Sequence, residues 1–197
     1  YVEDRRNILI LRPHHKLGEL EPETLTTLQY ALKRGIEAVY QLEESELMAE
    51  PLPTRDHRQS ILLFEAAEGG AGVLTRVATE PAALSAVAAK ALEVMHFRAP
   101  PAGQRWKRGS LVEELDSQGQ PFCEAGCYRC LLSYYNQPDH SHIDRKDKAA
   151  DGMLLDLLCR LTHARASQGT QGRAPNEHDD QLARTAGSAL ERAWLEH

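Results

Sequence analysis

The stretch Cys123-Glu-Ala-Gly-Cys127-Tyr-Arg-Cys130 places three thiols within eight residues, spaced C-x3-C-x2-C. Sulfurs that close can meet at one ion, each about 2.3 Å from it. A metal held this way contributes folding energy to a segment that has little apolar surface of its own. That decides how the second half of the chain folds, because residues 98 to 120 just before it are rich in Pro, Gly and charge and read as loop. The clustering of three of the four cysteines argues for a metal site in a reducing compartment, not a disulfide framework. Gly126 falls where a knuckle turn between two of the thiols needs it.

Thiolates select a soft or borderline metal, and zinc is the default for a non-redox structural site, which takes four ligands in a tetrahedron. An iron-sulfur cluster also wants four, usually cysteines. Candidates for the fourth position are His140, His142, Cys159 and the Asn136 side chain. Cys159 lies among Leu157, Leu158 and Leu161, where a cysteine reads as a small core residue. His140 follows Cys130 by a loop containing Pro138, placed as a returning zinc ligand, and is the predicted fourth ligand. Catalytic zinc would keep a position for water and a carboxylate base nearby. The His-x-Glu of zinc deaminases does not occur in the sequence, so a structural site is favoured.

Working outward, the elements predict an α/β fold: a small mixed or antiparallel sheet flanked by amphipathic helices. Asn7-Ile-Leu-Ile-Leu-Arg12, closed by Pro13, reads as a strand buried on both faces. From Pro22, the residues Leu25, Leu28, Leu32, Ile36 and Val39 recur at steps of three and four, a helix reaching about Leu42. Glu44 to Leu52 and Ile61 to Phe64 read as further strands around a polar turn. Glu68-Gly-Gly-Ala-Gly72 marks a strand-to-helix junction, and Leu84, Val87, Ala88, Ala91, Leu92 and Met95 a helix after Pro81. Asp144 is the predicted cap of a third helix carrying Leu154, Leu157, Leu158 and Leu161. The domain then spans 1 to 166, followed by a linker at 167 to 178 and a C-terminal helix at 179 to 197 that could open a further domain.

The 197 residues are 42% hydrophobic, enough for a real core. Their net charge of -6 argues against a domain that grips the phosphate backbone over a wide face. With no eighteen-residue apolar run and no signal-peptide layout, the sequence predicts a cytoplasmic protein without a membrane partner. The first residue is Tyr1, so a piece of a longer chain is expected.

Four further features have both a functional and a plain reading. Arg98, Arg105, Lys107 and Arg108 around Trp106 suit phosphate contact plus base stacking on single strands, or a solvated loop with a partly buried tryptophan. The Gly-rich junction could cradle a phosphate at a helix N-terminus, yet it lacks the lysine and hydroxyl of a P-loop. A tight packing turn is the stronger reading. His14-His15-Lys16 could be a further contact strip but reads better as a turn, and Glu43, Glu44 and Glu46 could meet a basic partner surface such as a helicase core but read better as a solvated acidic edge.

Taken together, Tyr1-Val-Glu-Asp-Arg-Arg-Asn-Ile-Leu, Thr27-Leu-Gln-Tyr-Ala-Leu-Lys-Arg-Gly-Ile-Glu-Ala, Glu65-Ala-Ala-Glu-Gly-Gly-Ala-Gly and Cys127-Tyr-Arg-Cys-Leu-Leu-Ser-Tyr-Tyr-Asn-Gln resemble the MrfA-type zinc-binding domain over about residues 1 to 166. Such domains follow superfamily 2 helicase cores in DNA-repair helicases and occur in anti-phage systems such as DISARM. The resemblance implies that Cys123, Cys127 and Cys130 hold Zn2+ and that a helicase core, in cis or as a partner subunit, is the partner. Single-stranded DNA would then be engaged through the larger protein. Where many relatives have a further cysteine, Asn136 stands here. The C-terminal Leu190-Glu-Arg-Ala-Trp-Leu-Glu is similar to the opening of a restriction-endonuclease-like domain, which would point to Glu191. No Walker motif appears, so a non-catalytic accessory module is the leading expectation. A metal-dependent nuclease or hydrolase and a protein-protein adaptor in a defence complex are the alternatives.

Overall fold

A computed structural model describes residues 5–13, 20–67, 69–148 and 150–166. The His14-His15-Lys16 turn, the linker at 167 to 178, and the C-terminal helix with Glu191 lie outside the described residues. Within them, three strands and four α-helices follow in the order β1 (Ile8–Leu11), α1 (Pro22–Tyr40), β2 (Leu47–Pro53), β3 (Arg58–Glu65), α2 (Val73–Thr79), α3 (Ala83–Val94) and α4 (Met153–Leu161).

The three strands form an antiparallel sheet in the order β1-β3-β2, with Leu9 opposite Leu63 and Ala49 opposite Leu63 from the other side. It has no parallel pair because β2 and β3 form a hairpin with a short connection, and β1 pairs with the free side of β3. Pro51 and Pro53 are tolerated because β2 is an edge strand, where a missing N–H breaks no ladder bond. The reading of β1 as buried on both faces is corrected: Ile8 is 59% and Ile10 44% exposed, while Leu9 and Leu11 pack on the core. The helices cover one face of the sheet, so an uninterrupted apolar run ends up half in water.

The central element is α1. Its stripe of Leu25, Leu28, Leu32 and Ile36 is buried as the periodicity predicts, but so are Thr24, Thr26, Thr27, Gln29, Tyr30, Lys33 and Glu37. Part of the polar face finds its partners in the second half of the chain, and Thr26, Gln29 and Lys33 find theirs within the first. Thr24 donates to Asp147 at 2.8 Å and Tyr30 to Asp139 at 2.6 Å. Asp139 is held on its other oxygen by Arg58 at 2.7 Å. Arg34 Nε donates to the Cys130 carbonyl at 2.9 Å, and Lys33 is ion-paired with Glu37. Buried polar groups of this kind persist only when each is satisfied.

On its other side α1 crosses α3 so closely that a Cβ on Gly35 would lie 2.5 Å from the Val87 carbonyl oxygen. Glycine is there for proximity, not for backbone conformation. The Gly-rich junction is different: Gly70 and Gly72 have φ of 62° and 75°. The Glu65 carboxylate accepts from the Gly72 and Leu74 N–H groups at 2.9 and 2.8 Å. The N-terminus of α2 thus already holds an anion, the protein's own, and the tight-turn reading stands over the phosphate cradle.

The cap of α4 is also corrected. Asp144 instead accepts from Lys146 N and Lys148 N at 2.9 and 3.0 Å, stabilising its own turn. Asp147 accepts from Leu154 N at 2.7 Å and caps the helix, which begins later than Asp144 could reach.

Candidate metal centre

Between α3 and α4 the chain has little regular structure beyond two short 3-10 segments, Arg108–Ser110 and Tyr134–His142. Order there comes from a knuckle. Cys130 N–H donates to the Cys127 carbonyl at 3.0 Å, Leu132 N–H to the same oxygen at 3.0 Å, and Cys127 N–H to Cys130 Sγ at 3.0 Å. Gly126 packs beneath the turn, where a Cβ would meet Leu132 at 3.3 Å and Ile143 at 3.4 Å.

The three sulfurs converge. Cys127 Sγ lies 3.5 Å and Cys123 Sγ 3.8 Å from Cys130 Sγ, close to the roughly 3.8 Å edge of a tetrahedron whose sulfurs sit about 2.3 Å from a central ion. The fourth corner is His96, whose Nε2 lies 3.3 Å from Cys127 Sγ. The four donor atoms all fall within 4.8 Å of one another. His96 is 9% exposed and its ring stacks on Phe122 at 5.1 Å between centroids. Its φ of 65° is unusual for a residue with a side chain; the left-handed turn ending α3 aims the ring at the thiols. Strain of this kind is tolerated where the surroundings fix the conformation.

His140, the predicted fourth ligand, is placed elsewhere. Its Nε2 lies 3.0 Å from the Ser133 carbonyl and 2.9 Å from Asn136 Oδ1. Asn136 is equally committed, accepting from Ser133 N at 2.7 Å and donating to the Leu131 carbonyl at 2.8 Å. His142 faces Glu23 at 3.3 Å, and Cys159 is buried in the core on α4. Sequence spacing missed His96 because it looks for a ligand beside the knuckle, whereas this one ends a helix at the far side of the Pro/Gly-rich loop. The available signal was a histidine closing the α3 stripe after Met95.

Without a cation, burial disfavours the thiolate form at two of the three cysteines. Burial pushes the Cys130 thiol up to about 12 and raises Cys123. At Cys127 burial also raises the thiol, but the Arg129 backbone N–H and bonds from the neighbouring thiols together bring it below the usual value. Burial, with the Arg145 guanidinium nearby, lowers His96 and favours the neutral imidazole that a metal requires. Cation binding displaces thiol protons, so occupancy falls with acid.

The basic loop predicted to touch nucleic acid starts and ends at this centre. Arg98 N–H donates to the Val112 carbonyl at 2.8 Å, and Phe97 bridges to Glu113. Arg98, Arg105 and Lys107 are exposed. Trp106 is half-buried against the core, and Arg108 is engaged with Asp151.

The sequence profile of the MrfA Zn-binding domain matches residues 28–131. That range begins within α1 and takes in His96, Cys123, Cys127 and Cys130, whereas His140 falls beyond it. No curated protein and no solved structure matches the chain. With a matching profile over more than half of its 197 residues and a convergent Cys3His cluster inside the matched range, the chain belongs to the MrfA zinc-binding domain family.

Proposed function

We propose that this chain is a structural zinc module that stabilises and orients an ATP-driven DNA helicase, attached in cis or as a partner subunit. The observation that carries the structural role is the donor set: three thiols and one imidazole, all within 4.8 Å of one another, are enough for a four-coordinate ion. A catalytic site keeps one corner for water or substrate. Zinc suits the mixed sulfur and nitrogen donors, needs no redox chemistry and tolerates a tetrahedron without electronic cost.

The helicase context rests on the sequence resemblance, which points to a cytoplasmic DNA-repair or phage-defence machine. The loop of Arg98, Arg105 and Lys107 is the proposed edge for single-stranded DNA. Because the metal centre anchors both its ends, loss of the ion would also disorder the DNA-facing edge.

Metal analysis of the purified chain tests the first part, with one zinc per chain expected. Cys127→Ser is expected to abolish soluble expression or to lower the melting temperature steeply; normal stability with lost activity would favour a catalytic ion instead. For DNA, Arg105→Ala with Lys107→Ala is expected to weaken single-strand binding and to reduce the salt dependence by about two counterions. Binding that survives both changes sinks the basic-loop proposal.

A further inference from the structure

Behind the cluster lies a charge that the ligands do not account for. The Arg145 side chain is 0% exposed, and most of its donor groups go to the segments that carry the ligands. Its Nε and Nη2 donate to the Cys123 carbonyl at 3.1 and 2.6 Å, and its Nη1 to the Met95 carbonyl at 3.1 Å. Its own N–H donates to the Ala125 carbonyl at 2.8 Å. One residue therefore grips the peptide leading into His96, the Cys123 peptide and the chain between Cys123 and Cys127. The guanidinium lies over the Phe97 ring at 5.4 Å and pairs with Glu113 at 2.6 Å, and Lys146 reaches that carboxylate at 3.4 Å.

A buried arginine is expensive to desolvate and is retained where its fixed fork of donors meets several acceptors at once. There is also a charge argument. Three thiolates, one neutral imidazole and a divalent ion sum to a net charge of -1, which a low-dielectric site disfavours unless a cation stands beside it. Arg145 and Lys146 share the single Glu113 carboxylate and so leave a net positive charge there, with the Arg145 guanidinium on the ligand side.

We propose that Arg145 is the positioning residue of the metal centre: its guanidinium holds the His96 and Cys123 backbones at ligand spacing and supplies the counter-charge for the Cys3His–metal unit. This rests on the reading that His96, Cys123, Cys127 and Cys130 bind a divalent ion.

The experiment uses the full chain loaded with Co2+, whose ligand-field and sulfur-to-metal charge-transfer bands report the geometry, and competition with a chromophoric chelator for Zn2+ affinity. Arg145→Met is compared with Arg58→Met, which removes a buried arginine whose hydrogen bonds go to Gln29 and Asp139 instead of the ligand segments. Arg145→Met is expected to lower Zn2+ affinity by about 10- to 100-fold and to shift the Co2+ bands. Arg58→Met should lower the melting temperature while leaving both readings unchanged. Arg145→Lys keeps the charge but not the fork; it is expected to bind metal with intermediate affinity and altered bands, and it decides the matter if Arg145→Met is insoluble. Wild-type affinity and spectrum in Arg145→Lys or Arg145→Met would overturn the proposal and leave Arg145 a packing residue. A wild-type chain that takes up no Co2+ would defeat the metal assignment itself, a separate outcome.

Discussion

Residues 22 to 94 and residues 96 to 152 of this protein fold by different physics. The first region is built from helices and strands whose apolar stripes bury one another: Leu28, Leu32 and Ile36 of α1 meet Ile61 and Leu63 of β3 and Val87, Ala91 and Leu92 of α3 in one cluster. The second region has almost no periodic structure; Phe97, Leu131 and Ile143 join the same apolar cluster, and the rest depends on four residues that could hold a metal, a buried arginine and acids such as Asp139 and Asp147. Yet the second region supplies the partners of Thr24, Thr27, Tyr30 and Arg34 on α1. A helix that reads as amphipathic can therefore be a central helix whose polar side faces a polar, metal-tied layer.

Metal removal is the strongest way to test that division. Chelation, or Cys130→Ser, is expected to abolish hydrogen-exchange protection across 112 to 145 while leaving part of it in α1 and α3. The destabilisation should exceed about 4 kcal/mol, since metal binding of this type is folding energy. Protection that persists through the knuckle after chelation would show that the second region stands without its ion.

Exchanging the two histidines gives the next largest effect. His96→Ala is expected to lower zinc affinity by at least about 100-fold, by analogy with the loss of an essential metal contact. His140→Ala should retain full metal content and cost about 1 kcal/mol, the worth of an ordinary hydrogen bond. The reverse ranking in chelator competition would restore His140 as the ligand.

Gly35→Ala acts on the first region alone. A methyl group 2.5 Å from the Val87 carbonyl must push α1 from α3, at about 2 to 3 kcal/mol by the usual cost of overpacking, read as a lower denaturant midpoint with unchanged metal affinity. Glu65→Ala, which leaves the α2 N–H groups without an acceptor, should cost less, about 1 to 2 kcal/mol. If either substitution changed zinc affinity markedly, the two regions would be coupled more tightly than their separate stabilising interactions imply.

Local pattern was enough for much of the fold. The spacing of Leu25, Leu28, Leu32 and Ile36 defined α1, the stripe after Pro81 defined α3, and C-x3-C-x2-C marked three residues that the structure brings together, because each of these signals is complete within one or two turns of chain. The apolar run of β1 was legible as a strand, but its half-exposure was not, since that depends on which sheet face the helices cover. The cap of α4 fell to Asp147 because the loop's path, not sequence proximity, determines which carboxylate reaches the first free N–H groups.

What the sequence determined by itself was α1, α3 and α4, the strands and the existence of a cysteine-based centre. Only the tertiary structure chose His96 over His140 and placed Arg145 behind the thiols. A metal needs four donors at one point in space, and the two residues that complete and brace this site come from opposite sides of a loop whose closure no local spacing encodes.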